Sequence, residues 1–91
     1  MNNLAKIWVS GVVQGVGFRY FVCQSARNYD LKGIVKNLNN GKVYIEAEGV
    51  KTIIGAFIKE VRIGNRFSEV TNIEVEWKKY SNKFQSFEIT F

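Results

Sequence analysis

The chain has 91 residues, 46% of them hydrophobic and 23% charged, which is the composition of one globular domain spanning residues 1–91 and leaves no room for a second. Thirteen Lys and Arg stand against eight Asp and Glu, for a formal charge of +5, with no histidine, no proline and a single cysteine. The missing residues exclude Ser-His and Cys-His nucleophile pairs, histidine acid-base catalysis, a disulfide within the chain and multi-cysteine metal sites, while the positive charge directs attention to anions.

In chain order, Ala5, Ile7, Val9, Gly11 and Val13 alternate with Lys6, Trp8, Ser10 and Val12, the period-two pattern of a first strand with one buried face. Gln14-Gly15-Val16-Gly17 breaks the pattern. Phe18, Phe21, Val22, Ser25, Ala26 and Tyr29 then recur at helical spacing and predict a first amphipathic helix. Ile34 to Asn37 reads as a second strand entering the Asn39-Asn40-Gly41 turn, a strong hairpin signal. The third strand, Lys42 to Ala47, therefore pairs antiparallel with the second. Val50, Ile53, Ile54, Phe57, Ile58 and Val61 trace a second helix stopped by Gly64, all of them read as core. Val70 to Trp77 and Phe87 to Phe91 alternate as two further strands. The order β-α-β-β-α-β plus a C-terminal strand predicts an α+β, ferredoxin-like sandwich, an antiparallel sheet with two helices on one face.

No apolar run approaches the roughly 18 residues of a membrane span, and no apolar signal-peptide core opens the chain, so a cytoplasmic, reducing setting with no membrane partner is expected. The charge is uneven. Residues 1–45 hold six basic groups against one acid, and residues 46–91 hold seven of each. Within the basic half, Gly11-Val12-Val13-Gln14-Gly15-Val16-Gly17-Phe18-Arg19 joins a strand to a helix. Glycines there let successive N–H groups turn toward one point, the helix start adds its unpaired N–H groups, and Arg19 offers a planar fork of donors. Spacing alone leaves two readings open, an anion cradle or a tight turn beside a solvated arginine.

Better-known loops fail by position. A Walker A loop begun at Gly11 meets Val16, Gly17 and Phe18 where it requires Gly-Lys-Ser/Thr, and a dinucleotide fingerprint begun at Gly15 meets Tyr20 in place of its third glycine. A cysteine phosphatase loop from Cys23 finds Tyr29 where its arginine belongs, which leaves Cys23 as a small, half-buried apolar residue. Glu46 and Glu48 share a face and read as solvated, as does the Lys78 to Lys83 turn.

The glycine segment resembles the acylphosphatase signature, Gly-x-Val-Gln-Gly-Val-x-Phe-Arg, at every fixed position. Gly33-Ile34-Val35-Lys36-Asn37 followed by Gly41-Lys42-Val43 resembles the second block of that family, and the similarity runs over essentially the whole chain. Departures fall at Ile34, at Asn39-Asn40, at Tyr44 and at the Thr90-Phe91 end. The resemblance implies hydrolysis of acyl phosphates to a carboxylate and inorganic phosphate, with no metal and no cofactor. By the same resemblance, backbone N–H groups of Gln14, Gly15, Val16, Gly17, Phe18 and Arg19 cradle the phosphate, the Arg19 side chain grips it, and Asn37 positions the attacking water. It further implies a monomer acting on a small-molecule acyl phosphate, with inorganic phosphate as product or inhibitor. The element order, the charge and thirteen aromatic residues also describe an RNA-recognition module. Its strand-three motif is missing, because Gly41 to Glu46 has one aromatic and an acid where bases would stack, so no specific nucleic-acid partner is expected. A third alternative, an accessory domain, follows from the same fold being fused into larger enzymes.

Overall fold

Period-two hydrophobicity makes a strand of β1 (Asn2–Val12), and the Gly-rich break ends it before the apolar stripe of α1 (Phe18–Asn28) begins. The computed structural model, which describes residues 1–91, continues through β2 (Lys32–Asn37), β3 (Val43–Val50), α2 (Lys51–Ile63), β4 (Glu69–Lys79) and β5 (Phe87–Ile89). The five strands form one sheet in the order β4-β1-β3-β2-β5. Every pairing is antiparallel except β2 with β5, where Gly33 faces Phe87 and Val35 faces Ile89 in parallel. The expected ferredoxin-like arrangement is thus present, with one parallel edge that makes the sheet mixed.

Ala5, Ile7 and Val9 of β1, Val43, Ile45 and Ala47 of β3, and Val35 of β2 meet Val22, Ala26, Ile54, Phe57 and Val61 of the helices in one buried cluster. Phe18, Phe57 and Phe87 are its largest fully buried side chains, each worth about 1.5–3 kcal/mol of burial. Glu60 ties the helices together, accepting hydrogen bonds from Ser25 Oγ at 3.0 Å and from the Tyr29 hydroxyl. The predicted stripe of α2 is core only from Ile54 onward. Val50, the last residue of β3, and Ile53 in the first turn of α2 are 39% and 37% exposed. Cys23, predicted half-buried, is 3% exposed.

β4 and β5 lie on opposite edges, so residues 80–86 must cross four strand spacings, about 19 Å. Seven extended residues reach about 23 Å. The crossing runs over the face opposite the helices, where it covers Glu48. That carboxylate was expected in solvent and is 3% exposed. It accepts hydrogen bonds from Ser81 N and Oγ, both 2.6 Å, and from Asn82 N at 3.2 Å. Burial pushes its pKa up, but these donors together outweigh burial and hold it below the ordinary glutamate value. A carboxylate depressed in the folded state stabilises above its unfolded pKa and loses that contribution as pH falls through the folded value. Glu48→Gln is therefore expected to lower stability by about 2 kcal/mol at neutral pH and to flatten the loss of stability below pH 4.5, as read by urea unfolding from pH 7 to pH 2. Identical acid limbs for the two proteins would contradict this.

Candidate functional site

Both β1 and β2 run antiparallel to β3, which lies between them. They are therefore parallel to each other and end at the same margin of the sheet. Val43 pairs with Val9 on one side and Asn37 on the other, so Asn37 and the loop leaving β1 face each other across a single strand. Asn37 shares the helix side of β2 with buried Gly33 and Val35.

The loop itself is a succession of turned peptides. Gly15 has φ 75° and Gly17 has φ 73°, with Val16 between them at an ordinary negative φ. Alternation with left-handed residues points consecutive N–H groups inward as a concave nest, and glycine adopts that conformation without a Cβ penalty. Gly17 is also the N-cap of α1, no side chain caps it, and no acidic residue occupies the first turn. The N–H groups of Phe18, Arg19 and Tyr20 have no acceptor within the helix. The nest and the helix start add their partial positive charges at one place.

A cavity of about 230 Å³ opens there. Gly15, Gly17 and Arg19 line it with Asn37, against an apolar wall of Val13, Phe18 and Ile89. Tyr20 and Phe91, 65% and 99% exposed, complete its lining. Arg19 takes part in none of the four ion pairs of the molecule. Its guanidinium carbon lies 5.0 Å from the centre of the Phe91 ring, and Thr90 N holds that tail to Val35 O of β2 at 2.9 Å. The Oδ1 of Asn37 is buried and has no hydrogen-bond partner. A cation without an anion and an acceptor without a donor thus share one cavity, together with N–H groups that have no internal acceptor. That combination suits an oxyanion accompanied by water.

Of the six predicted cradle residues, Gly15, Gly17, Phe18 and Arg19 line the cavity, and Gln14 and Val16 do not. The Gln14 side chain takes a part the sequence did not suggest. Its Nε2 donates to Leu38 O at 2.8 Å and to Lys42 O at 2.9 Å, tying the glycine loop to the turn that follows Asn37. Phe91 beside Arg19 was also missed, because alternation placed it in the last strand with Phe87 and Ile89, whereas β5 ends at Ile89 and leaves Phe91 exposed. Cys23 lies elsewhere. Burial pushes its thiol pKa up against the opposing effect of Arg27, and its Sγ faces Phe87 O at 3.5 Å, the surroundings of a structural thiol.

The open face of the sheet brings Trp8 and Tyr44 together, ring centres 5.2 Å apart. Acids interleave with them. Glu46 accepts from the Tyr44 hydroxyl at 2.6 Å, and Lys42, Lys78 and Lys83 are paired with Glu74, Glu76 and Glu46. A nucleic-acid backbone would meet carboxylates here instead of a basic platform.

The chain is similar to known proteins along almost all its length. The sequence model of the acylphosphatase family matches residues 5–89. An acylphosphatase of Bacillus licheniformis is 44% identical over 86 residues, 94% of this chain and 96% of that protein, and one of Archaeoglobus fulgidus is 43% identical over the same shares. The crystal structure of acylphosphatase from Bacillus subtilis superimposes with a TM-score of 0.95 at 41% identity, covering 100% of both chains. The same fold forms 12% of the full-length HypF structure, at a TM-score of 0.87 and 35% identity.

Proposed function

The chain belongs to the acylphosphatase family, enzymes that hydrolyse acyl phosphates, and from that membership we propose how its own residues carry the reaction. The phosphoryl group binds at the N–H groups of the Gln14–Arg19 loop, Arg19 grips two of its oxygens, and Asn37 Oδ1 accepts a hydrogen bond from the attacking water. The water oxygen forms a bond to phosphorus as the bond from phosphorus to the acyl oxygen breaks. The electron pair leaves with the carboxylate, and the proton of the water passes to the products. A carboxylate is a stable leaving group and phosphoryl transfer demands chiefly positioning and charge stabilisation, so no strong base is needed. This suits a chain without histidine.

The observation that carries the reading is the meeting, in one cavity, of an unpaired arginine, a left-handed glycine nest and an unpartnered buried amide oxygen. The acyl group lies against Tyr20, Ile89 and Phe91. The full chain acts in the cytoplasm as a single domain and a monomer. Hydrolysis of benzoyl phosphate by the purified protein, inhibited competitively by inorganic phosphate, tests the proposal. An active protein that phosphate does not inhibit would remove the cradle from it.

A further inference from the structure

The glycine loop is also held from a third direction. Asn65 lies in the connection between α2 and β4, 49 residues from Val16 in sequence, and its Nδ2 donates to Val16 O at 2.9 Å. All peptide bonds are trans, and in a planar trans peptide the C=O of one residue and the N–H of the next point in opposite directions. Drawing the Val16 carbonyl toward Asn65 therefore turns the Gly17 N–H to the other side of the loop. Gly17 lines the cavity. Because glycine tolerates both signs of φ, the Val16–Gly17 peptide is free to flip unless it is held, and a flip would present a carbonyl oxygen where an anion needs a donor.

Asn65 is itself fixed. Its N–H donates to Ser68 Oγ at 2.9 Å, and its carbonyl accepts from Ser68 N at 3.2 Å and Oγ at 3.1 Å. Its amide orientation is set by the same bond, since the reverse orientation would oppose Oδ1 to the Val16 oxygen. The molecule keeps this orientation although it leaves Asn65 Oδ1 buried without a partner, an arrangement that costs stability. Nδ2 also lies 3.7 Å from the place a Gly17 Cβ would take, so the amide packs on the residue whose N–H it orients.

We propose that Asn65 is a positioning residue of the phosphate cradle, acting through the Val16 carbonyl to keep the Gly17 N–H in its anion-binding orientation. This rests on the cradle reading above, and the test separates the two. Inorganic phosphate is titrated into the ¹⁵N-labelled full chain and into Asn65→Ala and Asn65→Asp, following the amide signals of Gly15 to Arg19, with thermal unfolding and benzoyl phosphate kinetics measured on each. Loss of one oriented donor is expected to raise the phosphate dissociation constant and the KM together by about three- to tenfold in Asn65→Ala. The effect is larger in Asn65→Asp, which sets a carboxylate against the Val16 oxygen, and in both variants the Gly17 amide signal moves before phosphate is added. A brace with only a structural role would lower the unfolding midpoint and leave phosphate affinity unchanged well below it, which overturns the proposal. If phosphate leaves the Gly15 to Arg19 amides of the unaltered protein undisturbed, the cradle fails, and the role of Asn65 with it.

Discussion

Arg19→Ala is expected to lower kcat/KM for benzoyl phosphate by about 10³-fold while the protein stays folded. Removing a single donor aimed at developing charge costs about 10²- to 10³-fold, and in the proposed site Arg19 would supply both a charge and two parallel donors to the same group. Folding loses little, because the guanidinium makes no ion pair and its one aromatic contact is with the exposed ring of Phe91, an arrangement worth about 0.5–1 kcal/mol. Arg19→Lys is the sharper variant. It keeps the charge but replaces a planar fork with a point donor on a flexible stem, and a loss of about 10²-fold or more is expected. If long-range attraction were the contribution of Arg19, lysine would serve nearly as well. Hydrolysis by Arg19→Lys close to that of the unaltered protein would show that the charge suffices, and hydrolysis by Arg19→Ala close to it would remove Arg19 from the site.

Arg19 and Asn37, to which the proposed mechanism gives its chemical roles, entered the sequence reading through the family resemblance. Glycines between a strand pattern and a helix pattern permit a bare tight turn as readily as an anion cradle, so Arg19 in the first helical turn took its role from the acylphosphatase signature. Asn37 before a turn is an ordinary strand end to a local reading. Only the register, in which Val43 is shared by Val9 and Asn37, brings it to the loop. What stayed hidden depends on partners distant in sequence. Glu48 looked solvated because carboxylates usually are, and its burial awaits a crossover whose donors lie 33 and 34 residues away. The parallel partner of β5 cannot be read from Phe87-Glu88-Ile89, since alternation specifies a face and not a neighbour. The +5 charge first suggested a polyanion. Acids interleave with the lysines of the open sheet face, while Arg19 stands without an ion pair at a cavity of small-molecule size.

Asn37→Ala is expected to separate activity from stability. If Asn37 Oδ1 holds the attacking water, its removal costs about 10²- to 10³-fold in kcat and changes phosphate affinity little, because the cradle and Arg19 are untouched. Stability should move little. Asn37 Oδ1 makes no hydrogen bond within the protein, and alanine leaves the backbone pairing of Asn37 with Val43 intact. An unfolding midpoint close to that of the unaltered protein, together with the fall in kcat, is the expected pair of results. Asn37→Asp controls for shape. It retains an acceptor for water but adds a negative charge beside the phosphoryl group, so it should weaken phosphate inhibition, which Asn37→Ala does not. Equal loss of kcat and phosphate affinity in Asn37→Ala would instead make Asn37 a phosphate-binding residue and leave the attacking water to another group.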